Sequence, residues 1–409
     1  MNLLTVQITD FLTYIGVNDR DTHLFENQWP LEDGISYNSY LLTGEKTALM
    51  DTVKITKVDE FVEKLEEALD GKDLDYIIVH HMEPDHSGSI QTIQNLYPNV
   101  KIVGNKKTIE FLEGFYGITE GIIEVKDGES LDLGGRKLTF YTTPMLHWPE
   151  SMVSYEENSG ILFSQDAFGG FGALNGTIFD DEINWDFFAK ETSRYFTNIV
   201  GKFSRQVQFA LKKLAPLDIK MICPVHGPVW KEHPEKIIKL YDRLSSYQTE
   251  KGVVIVYGSM YGNTATMAET VARQLAVRGI KNVKVFDVSK THPSHILNEI
   301  WRYKGTILGS CTYNNGLFPV MKNLVNIVES NKIENHVLGV FGSYSWSGGA
   351  LKELKEFGEN SKFEMLETTI EAKCSPTKED LEKCKVLADE MADALESCGE
   401  DGFCDVLSL

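Results

Sequence analysis

The sequence predicts an α/β protein in two parts, and three observations support this. Residues 1 to about 250 alternate β-rich segments with helical ones. The composition turns polar between Tyr247 and Lys251, and a new apolar strand starts at Gly252. From there strand and helix alternate to the end, which is typical of a doubly wound parallel sheet. We therefore expect one domain over 1–250 and a second over 251–409.

The composition is that of an ordinary globular protein, with 409 residues, 42% apolar and 24% charged. The net charge of -20 disfavours binding to nucleic acid or to anionic membranes. We expect no membrane span and, from the pattern at Met1–Thr5, no signal peptide. The six cysteines form no CxxC pair, which argues against a rubredoxin-type iron site and suits a reduced cytoplasm. We expect Cys398 and Cys404 to be free thiols, with a disulfide or a metal site as alternatives.

The elements of the first part are indicated by short apolar, β-branched runs and by helical spacing of apolar residues. Strands are predicted at Gly34–Leu42, Thr47–Asp51, Tyr76–Val79, Lys101–Val103, Leu138–Thr143, Gly160–Asp166 and Ile219–Cys223. Helices are predicted over Val58–Leu69, which ends before Gly71, and over about 190–213.

The densest polar motif follows the predicted buried strand Tyr76–Val79. Within six positions it holds His81, Glu83, Asp85 and His86. Two imidazoles and two carboxylates so close together are costly unless a cation neutralises them. A nitrogen and oxygen ligand set without a thiolate favours iron, manganese or zinc over a structural zinc–thiolate site. A solvated polar turn is the alternative for this segment alone.

The same arrangement recurs after three further strands. His147 follows the strand that ends at Thr143, Asp166 ends another strand, and His226 follows the strand that ends at Cys223. Sites in layered α/β folds form at the carboxyl ends of strands. We therefore expect these loops to meet in one metal cluster.

The second part alternates five strands with five helices. The predicted strands are Val253–Tyr257, Val283–Phe286, Gly305–Gly309, Val337–Phe341 and one near 363–371. The predicted helices are Thr264–Val277, Pro293–Trp301, Pro319–Ser330, Ala350–Phe357 and Lys378–Leu395.

Three loops at the strand ends of this second part are candidates for a flavin site. The first follows Tyr257 and opens a helix, and its hydroxyl and backbone N–H groups suit a phosphate. It carries neither the lysine of a nucleoside-triphosphate loop nor a GxGxxG pattern, so a monoester such as that of FMN is favoured. The other two loops combine Gly and Ser with aromatic residues, which suits the edge and faces of a flavin ring. The candidates are Ser259, Met260, Tyr261, Gly262, Asn263, Thr264, Ser310, Cys311, Thr312, Tyr313, Asn314, Asn315, Gly316, Ser343, Tyr344, Trp346 and Gly348. Ordinary turns are the alternative.

Together these motifs resemble the flavodiiron proteins, also called A-type flavoproteins, over nearly the whole chain. The first part resembles the metallo-β-lactamase fold, an αββα sandwich, with Glu83 where its hydrolases carry a second His. The second part resembles flavodoxin, with Tyr261 where many flavodoxins have Thr. The resemblance implies His81, Glu83 and His147 on one iron, Asp85, His86 and His226 on the other, and Asp166 as the bridge. It also implies FMN and a homodimer or homotetramer in which the flavin of one chain faces the irons of the other.

The implied activity is reduction of O2 to water, of NO to nitrous oxide, or of both. No rubredoxin or NADH-binding segment is evident, so we expect an external donor such as a rubredoxin, an NADH-linked reductase or coenzyme F420. Tyr195 and Trp148 are expected near the irons, either as functional or as packing residues, and His80 as a supporting residue. The alternatives are a zinc hydrolase fused to a flavodoxin and an electron carrier that uses only FMN.

Overall fold

The computed structural model of the protein describes residues 5–399 and 403–404. These residues form two compact units. One extends to Phe196 and resumes over Phe203–Asp242, and the other comprises Thr197–Lys202 and the chain from Arg243 onward. The domain boundary that we place between residues 250 and 251 stays a prediction. That position lies inside a strand over Thr249–Gly258.

The first unit is rich in short strands. They are β1 (Val6–Thr9), β2 (Leu12–Tyr14), β3 (Val17–Asp19), β4 (Leu24–Phe25), β5 (Trp29–Pro30), β6 (Ile35–Tyr37), β7 (Tyr40–Thr43), β8 (Thr47–Met50), β9 (Tyr76–Ile78), β10 (Lys101–Gly104), β11 (Ile122–Glu124), β12 (Ser130–Asp132), β13 (Lys137–Thr142), β14 (Met152–Glu156), β15 (Ile161–Gln165) and β16 (Met221–Pro224). The helices are α1 (Val58–Leu69), α2 (Pro84–Ser87), α3 (Ile90–Leu96), α4 (Lys106–Tyr116), α5 (Trp185–Tyr195), α6 (Ser204–Leu214) and α7 (Pro234–Ser245), the last of which ends in the second unit.

Two sheets of the first unit enclose one apolar core. The first has the order β1-β2-β7-β8-β9-β10-β11, and the second has the order β12-β13-β14-β15-β16. Leu42 and Met50 of the first sheet share the core with Phe140 and Phe163 of the second. Buried apolar area of this kind is the main source of fold stability. The packed sheets hold the ends of β9, β13, β15 and β16 in fixed positions.

Two elements of the first unit differ from the prediction. The single strand predicted over Gly34–Leu42 is wrong, because β6 pairs with β3 while β7 belongs to the first large sheet. The chain breaks at Asn38, whose side-chain amide donates to the carbonyl oxygens of Pro224 and Gly227 at 2.9 and 2.8 Å.

The predicted helical stretch over about 190–213 is interrupted. Helix α5 continues into a π-helical turn over Phe196–Val200 and a 3₁₀ turn over Gly201–Phe203 before α6 begins. A glycine and β-branched residues at this point weaken a regular α-helix.

The second unit alternates strands and helices as predicted. Its strands are β17 (Thr249–Gly258), β18 (Val283–Asp287), β19 (Tyr303–Tyr313), β20 (Gly316–Leu317), β21 (Glu334–Tyr344), β22 (Lys362–Lys373) and β23 (Phe403–Cys404). Its helices are α8 (Asn263–Val277), α9 (Pro293–Arg302), α10 (Pro319–Asn331), α11 (Ala350–Asn360) and α12 (Lys378–Ala394).

The main sheet of the second unit is parallel, with the order β18-β17-β19-β21-β22. Numbered within this unit, the order is 2-1-3-4-5, which is the flavodoxin-like form of the doubly wound fold. Because β17, β19 and β21 are parallel neighbours, the loops that follow them lie at one edge of the sheet. That edge carries all three predicted flavin loops.

The expectation of free thiols at Cys398 and Cys404 is wrong, because the two cysteines form a disulfide. The cysteines are separated by six positions, and Cys404 lies in β23, which pairs antiparallel with β17. The disulfide holds β23 close to Cys398, which follows the 3₁₀ turn over Leu395–Ser397 at the end of α12. No helix within the described ranges combines the length and apolar character needed to cross a bilayer.

Candidate functional site

Loops at the carboxyl ends of four strands carry the predicted metal ligands. The first follows β9 and enters α2, and the others follow β13, β15 and β16. Of the predicted ligands in these loops, Asp85 is partly exposed and the others are buried. The structure brings together all seven, which are His81, Glu83, Asp85, His86, His147, Asp166 and His226.

One half of the cluster is formed around Asp166 Oδ2. His81 Nε2 lies 3.2 Å from this oxygen and His147 Nε2 lies 3.4 Å from it. Glu83 Oε2 lies 3.1 Å from His147 Nε2 and 3.5 Å from His81 Nε2. The two Nε2 atoms are themselves 3.4 Å apart. Two imidazole nitrogens and two carboxylate oxygens therefore face one small volume.

The other half is formed around Asp166 Oδ1. His226 Nε2 lies 3.4 Å and His86 Nε2 lies 3.6 Å from this oxygen. The carboxylate of Asp85 lies 3.1 Å from His226 Nε2 and 3.5 Å from His86 Nε2. Asp166 therefore presents one oxygen to each half of the cluster, which is the arrangement expected of a carboxylate shared by two cations.

Several atoms of this cluster are buried without a hydrogen-bond partner. Among the described residues they include both carboxylate oxygens of Asp85, both ring nitrogens of His86, Asp166 Oδ2 and His226 Nε2. Buried polar atoms almost always have a partner, and unpaired ones are costly. The nitrogen and oxygen donors have the spacing to surround cations, so the residues fit a pair of metal ions.

The electrostatics of the cluster point to the same conclusion. Burial lowers the pKa of His81, but hydrogen bonds to Glu150 and Glu83 and the charge of Asp166 raise it to about 10. The pKa of His147 rises to about 10 for similar reasons. The pKa values of His86 and His226 rise to about 9, since nearby carboxylates outweigh their burial. Burial opposes ionisation of Glu83 and Asp166, yet the histidines hold the pKa of both carboxyls below the ordinary range. Without metal, protons on the imidazoles would balance these carboxylates, and metal ions would replace those protons.

Two groups that the sequence analysis missed orient the ligand histidines. Glu150 Oε1 accepts a hydrogen bond from the Met82 backbone N–H at 2.9 Å and lies 2.6 Å from His81 Nδ1. The backbone oxygen of Ser36 lies 2.7 Å from His226 Nδ1. An acceptor at Nδ1 fixes the proton there and leaves Nε2 free to bind metal. Glu150 could have been predicted, because it is an acidic residue three positions after His147. The role of the Ser36 backbone oxygen could not, because every residue carries such an oxygen.

Tyr195 and Trp148 both lie at the cluster. The Tyr195 hydroxyl donates a hydrogen bond to Asp166 Oδ1 at 2.9 Å. The half-buried Trp148 ring stands edge-on to His81, with ring centroids 5.1 Å apart. His80 points away from the cluster, with Nδ1 2.7 Å from Asp51 Oδ2 and Nε2 2.7 Å from Ser154 Oγ. It therefore supports the strand end rather than binding metal.

The first predicted flavin loop, Ser259–Thr264, links β17 to α8. Gly262 has φ +93°, a conformation that favours glycine, and it is the N-cap residue of α8. Its N–H donates to Ser259 Oγ at 3.1 Å. Met260 and Tyr261 are exposed beside it. The first turn of this long helix leaves backbone N–H groups available to an anion such as a phosphate.

The other two predicted loops lie at the same sheet edge. The second loop comprises the end of β19 and the turn that leads to Gly316 of β20, with the predicted residues Ser310, Cys311, Thr312, Tyr313, Asn314 and Asn315. The third comprises the end of β21 and the residues before α11, with the predicted residues Ser343, Tyr344, Trp346 and Gly348. The hydroxyl oxygens of Thr264 and Ser343 are 2.9 Å apart, which joins the first loop to the third. Trp346 is 89% exposed and Tyr261 is 91% exposed. Large exposed aromatic rings beside the first turn of a helix are suited to contact a ring-shaped ligand.

Comparison with known proteins agrees with a metal-binding first part and a flavodoxin-like second part. Residues 35–227 match the model of the ODP family beta lactamase and residues 255–399 match that of Flavodoxin. The chain is 33% identical over 395 residues to the anaerobic nitric oxide reductase flavorubredoxin of Escherichia coli, which covers 95% of this chain and 82% of that protein. It resembles the structure of rubredoxin oxygen:oxidoreductase from Desulfovibrio gigas with a TM-score of 0.93 and 31% identity, over 96% of this chain and 99% of that one. The structure of the flavodiiron protein from Giardia intestinalis is similar with a TM-score of 0.93 and 26% identity, over 97% of this chain and 98% of that one.

A β-lactamase-type metal domain followed by a flavodoxin domain defines a class of flavin-linked metalloenzymes. Within that class the chain belongs to the flavodiiron proteins. The predicted family, fold class and oxidoreductase class are therefore confirmed, and the family's cofactors, a flavin and two irons, are those predicted.

Proposed function

We propose that the chain reduces dioxygen to water, nitric oxide to nitrous oxide, or both, with electrons that pass through FMN from an external donor. The observation that carries the proposal is the division of the cluster into two halves that share Asp166. The names of two similar proteins support O2 and NO as the substrates. The Escherichia coli relative is named an anaerobic nitric oxide reductase, and the Desulfovibrio gigas protein is named a rubredoxin oxygen:oxidoreductase.

Each half of the cluster would hold one iron. The ligands would be His81, Glu83 and His147 on one side and Asp85, His86 and His226 on the other, with Asp166 shared by both. Two ferrous ions bring four positive charges against three carboxylates, so a buried site comes close to neutrality. Bound iron would supply two electrons and open positions for a small molecule.

The surrounding residues hold these ligands in place. Glu150 and the Ser36 carbonyl keep a proton on Nδ1 of their histidines, so that Nε2 faces the centre of the site. Tyr195 donates to Asp166 Oδ1 and so orients the shared carboxylate. Trp148 packs edge-on against the His81 ring.

The three loops of the second unit would hold FMN. Ser259–Thr264 would bind the phosphate at the start of α8, and the loops after β19 and β21 would contact the ring. The exposed rings of Tyr261 and Trp346 are suited to cover its faces. A reduced flavin carries two electrons, and two ferrous ions supply two more. Together they provide the four electrons that reduction of O2 to water requires.

The partners of this chain form part of the proposal. The donor would be a rubredoxin or another reductase, including one that uses NADH or coenzyme F420. The assembly would be a homodimer or homotetramer in which the flavin of one chain serves the irons of another. A monomer that keeps full turnover with both cofactors bound would contradict the proposed assembly. The cytoplasmic location expected from the sequence stays a prediction.

The proposal is tested by anaerobic reduction of the purified protein, followed by rapid mixing with O2 and with NO in parallel. We expect reoxidation of the flavin by at least one gas and about two irons per chain by metal analysis. The variant Asp166→Asn is expected to lose gas reduction, whereas Asp186→Asn, at an exposed position in α5, keeps it. Indifference to both gases, or zinc in place of iron, would contradict the proposal and favour a hydrolase.

A further inference from the structure

A small apolar cavity lies in the first unit between helix α6 and the loops that follow β13 and β15. Its walls include Leu146, Ala167 and Phe168 from the loops and Val207, Ala210 and Leu214 from the helix. The free space is about 10 Å³ for the centre of a water-sized sphere, which is room for a single small molecule. The six residues named are buried and a further wall residue, Leu211, is half-buried, so the cavity lies just beneath the surface at α6.

The helical wall explains why free space remains here. Val207, Ala210 and Leu214 repeat at helical spacing and form the buried face of α6. Ala210 carries only a methyl group in the middle of that face. The larger side chains of Val207 and Leu214, on either side of Ala210, line the same space. A well-packed core would normally fill such a gap. The position therefore combines a helical wall with a small void.

The lining excludes water. Its accessible surface is entirely apolar. Tyr241 also lines the cavity, and its hydroxyl is directed to the carbonyl oxygens of Asp166 and Gly169, each 3.5 Å away. A buried water needs two to four polar partners, and apolar cavities that lack them stay dry and take up apolar molecules such as xenon. The chemistry of this cavity therefore suits a small uncharged apolar ligand.

The cavity also adjoins the metal cluster. Leu146 precedes His147 in the chain, and Ala167 follows Asp166. Two of the wall residues are thus covalent neighbours of proposed ligands from two different loops. The backbone oxygen of Leu146 accepts a hydrogen bond from the Gln165 side chain at 2.5 Å, which ties these two loops together.

We propose that this cavity is a binding site for a small apolar gas molecule, O2 or NO, next to the cluster that reduces it. The proposal deepens the proposed function and rests on it for the identity of the gas. Because O2 and NO are both small and weakly polar, the cavity has room for either one. A gas molecule held there is kept out of water and close to the cluster, which raises its local concentration.

Xenon binding tests the site independently of catalysis. The full-length protein, loaded with both cofactors, is crystallised and exposed to pressurised xenon, and xenon NMR follows binding in solution. We expect one xenon atom between α6 and Leu146. The variant Ala210→Phe fills the space and should weaken xenon binding about tenfold or more. The matched control Ala215→Phe adds the same ring at the exposed end of α6 and should leave binding unchanged.

The same variants are then mixed, in reduced form, with O2 and NO separately. We expect Ala210→Phe to slow reoxidation by the reducible gas while iron content and flavin reduction stay at the level of the control. A second variant, Leu214→Ala, enlarges the cavity and should bind xenon more tightly, which covers the case in which Ala210→Phe fails to fold.

Absence of xenon from the cavity, or normal reoxidation of Ala210→Phe, would overturn the proposal. Xenon in the cavity of a protein that reduces neither gas would leave the apolar site in place and overturn its assignment to O2 or NO, together with the proposed function.

Discussion

Replacement of Glu150 by Gln tests how strongly the surroundings of the cluster control metal binding. Glu150 is fully buried, and one of its oxygens lies 2.6 Å from His81 Nδ1 while accepting from the Met82 N–H at 2.9 Å. Gln keeps the size and one acceptor oxygen but removes the negative charge. The loss of that charge weakens the polarisation of the His81 ring and therefore its basicity toward metal.

Loss of such a supporting carboxylate typically costs 10- to 100-fold in metal affinity, which corresponds to about 1.4–2.8 kcal/mol. We expect the effect on the half of the cluster that contains His81, because in the described part of the chain the Glu150 carboxylate contacts the His81 ring and the Met82 N–H. The assay is competition with a chelator of known affinity, with bound iron measured after equilibration. We expect the two irons to be released in two steps of unequal affinity. In Glu150→Gln only one of these steps should move to a lower chelator concentration.

The control is Glu113→Gln, which makes the same change of charge at an exposed position in α4. It should leave both release steps unchanged. Wild-type metal affinity in Glu150→Gln would refute the reasoning, because it would show that the charge near His81 Nδ1 has no influence on binding.

Further predictions concern pH, the Tyr195 hydroxyl and the flavin loops. In the folded, metal-free protein the pKa values of the four cluster histidines are raised from 6.5 to about 9 or 10. The protonated histidines therefore stabilise the fold fully below pH 6.5, and this stabilisation is lost as the pH rises through 9 to 10. Urea titrations of metal-free protein should show this loss, and metal-loaded protein should not, since ligated imidazoles carry no extra proton. Tyr195→Phe removes a buried hydrogen bond to the Asp166 carboxylate and should lower the free energy of unfolding by about 1.5–3 kcal/mol, with iron content kept. An unchanged urea midpoint would contradict the role given to this hydroxyl. Ser343→Ala removes the partner of Thr264 and should weaken FMN binding about fivefold in a fluorescence titration, whereas Ser330→Ala, at an exposed position in α10, should not. Equal affinities in the two variants would argue against the contact between the loops.

Much of the cluster could be predicted because its chemistry is concentrated in the sequence. His81, Glu83, Asp85 and His86 are close together in the chain, and their crowding alone indicates a cation. His147, Asp166 and His226 are far apart in sequence, but each follows a recognisable strand, and strand ends in such folds converge. The alternation of β17 through α12 likewise indicated the parallel sheet.

Other features depend on contacts that the sequence does not encode locally. The break at Asn38 arises because its amide bonds to the carbonyls of Pro224 and Gly227, nearly two hundred residues away. The Ser36 carbonyl orients His226 through a backbone atom that any residue would supply. The pairing of Cys398 with Cys404 depends on β23 lying against β17. The cavity beside Ala210 is a property of packing between a helix and two loops, and no periodicity indicates it.

The central claim is that Asp166 is shared by two irons, and anomalous X-ray diffraction from crystals of protein assembled with iron tests it most directly. Data collected on both sides of the iron absorption edge should show two iron peaks, one near each carboxylate oxygen of Asp166, with the histidine Nε2 atoms around them. A single peak, a zinc signal or no peak at these positions would contradict the account.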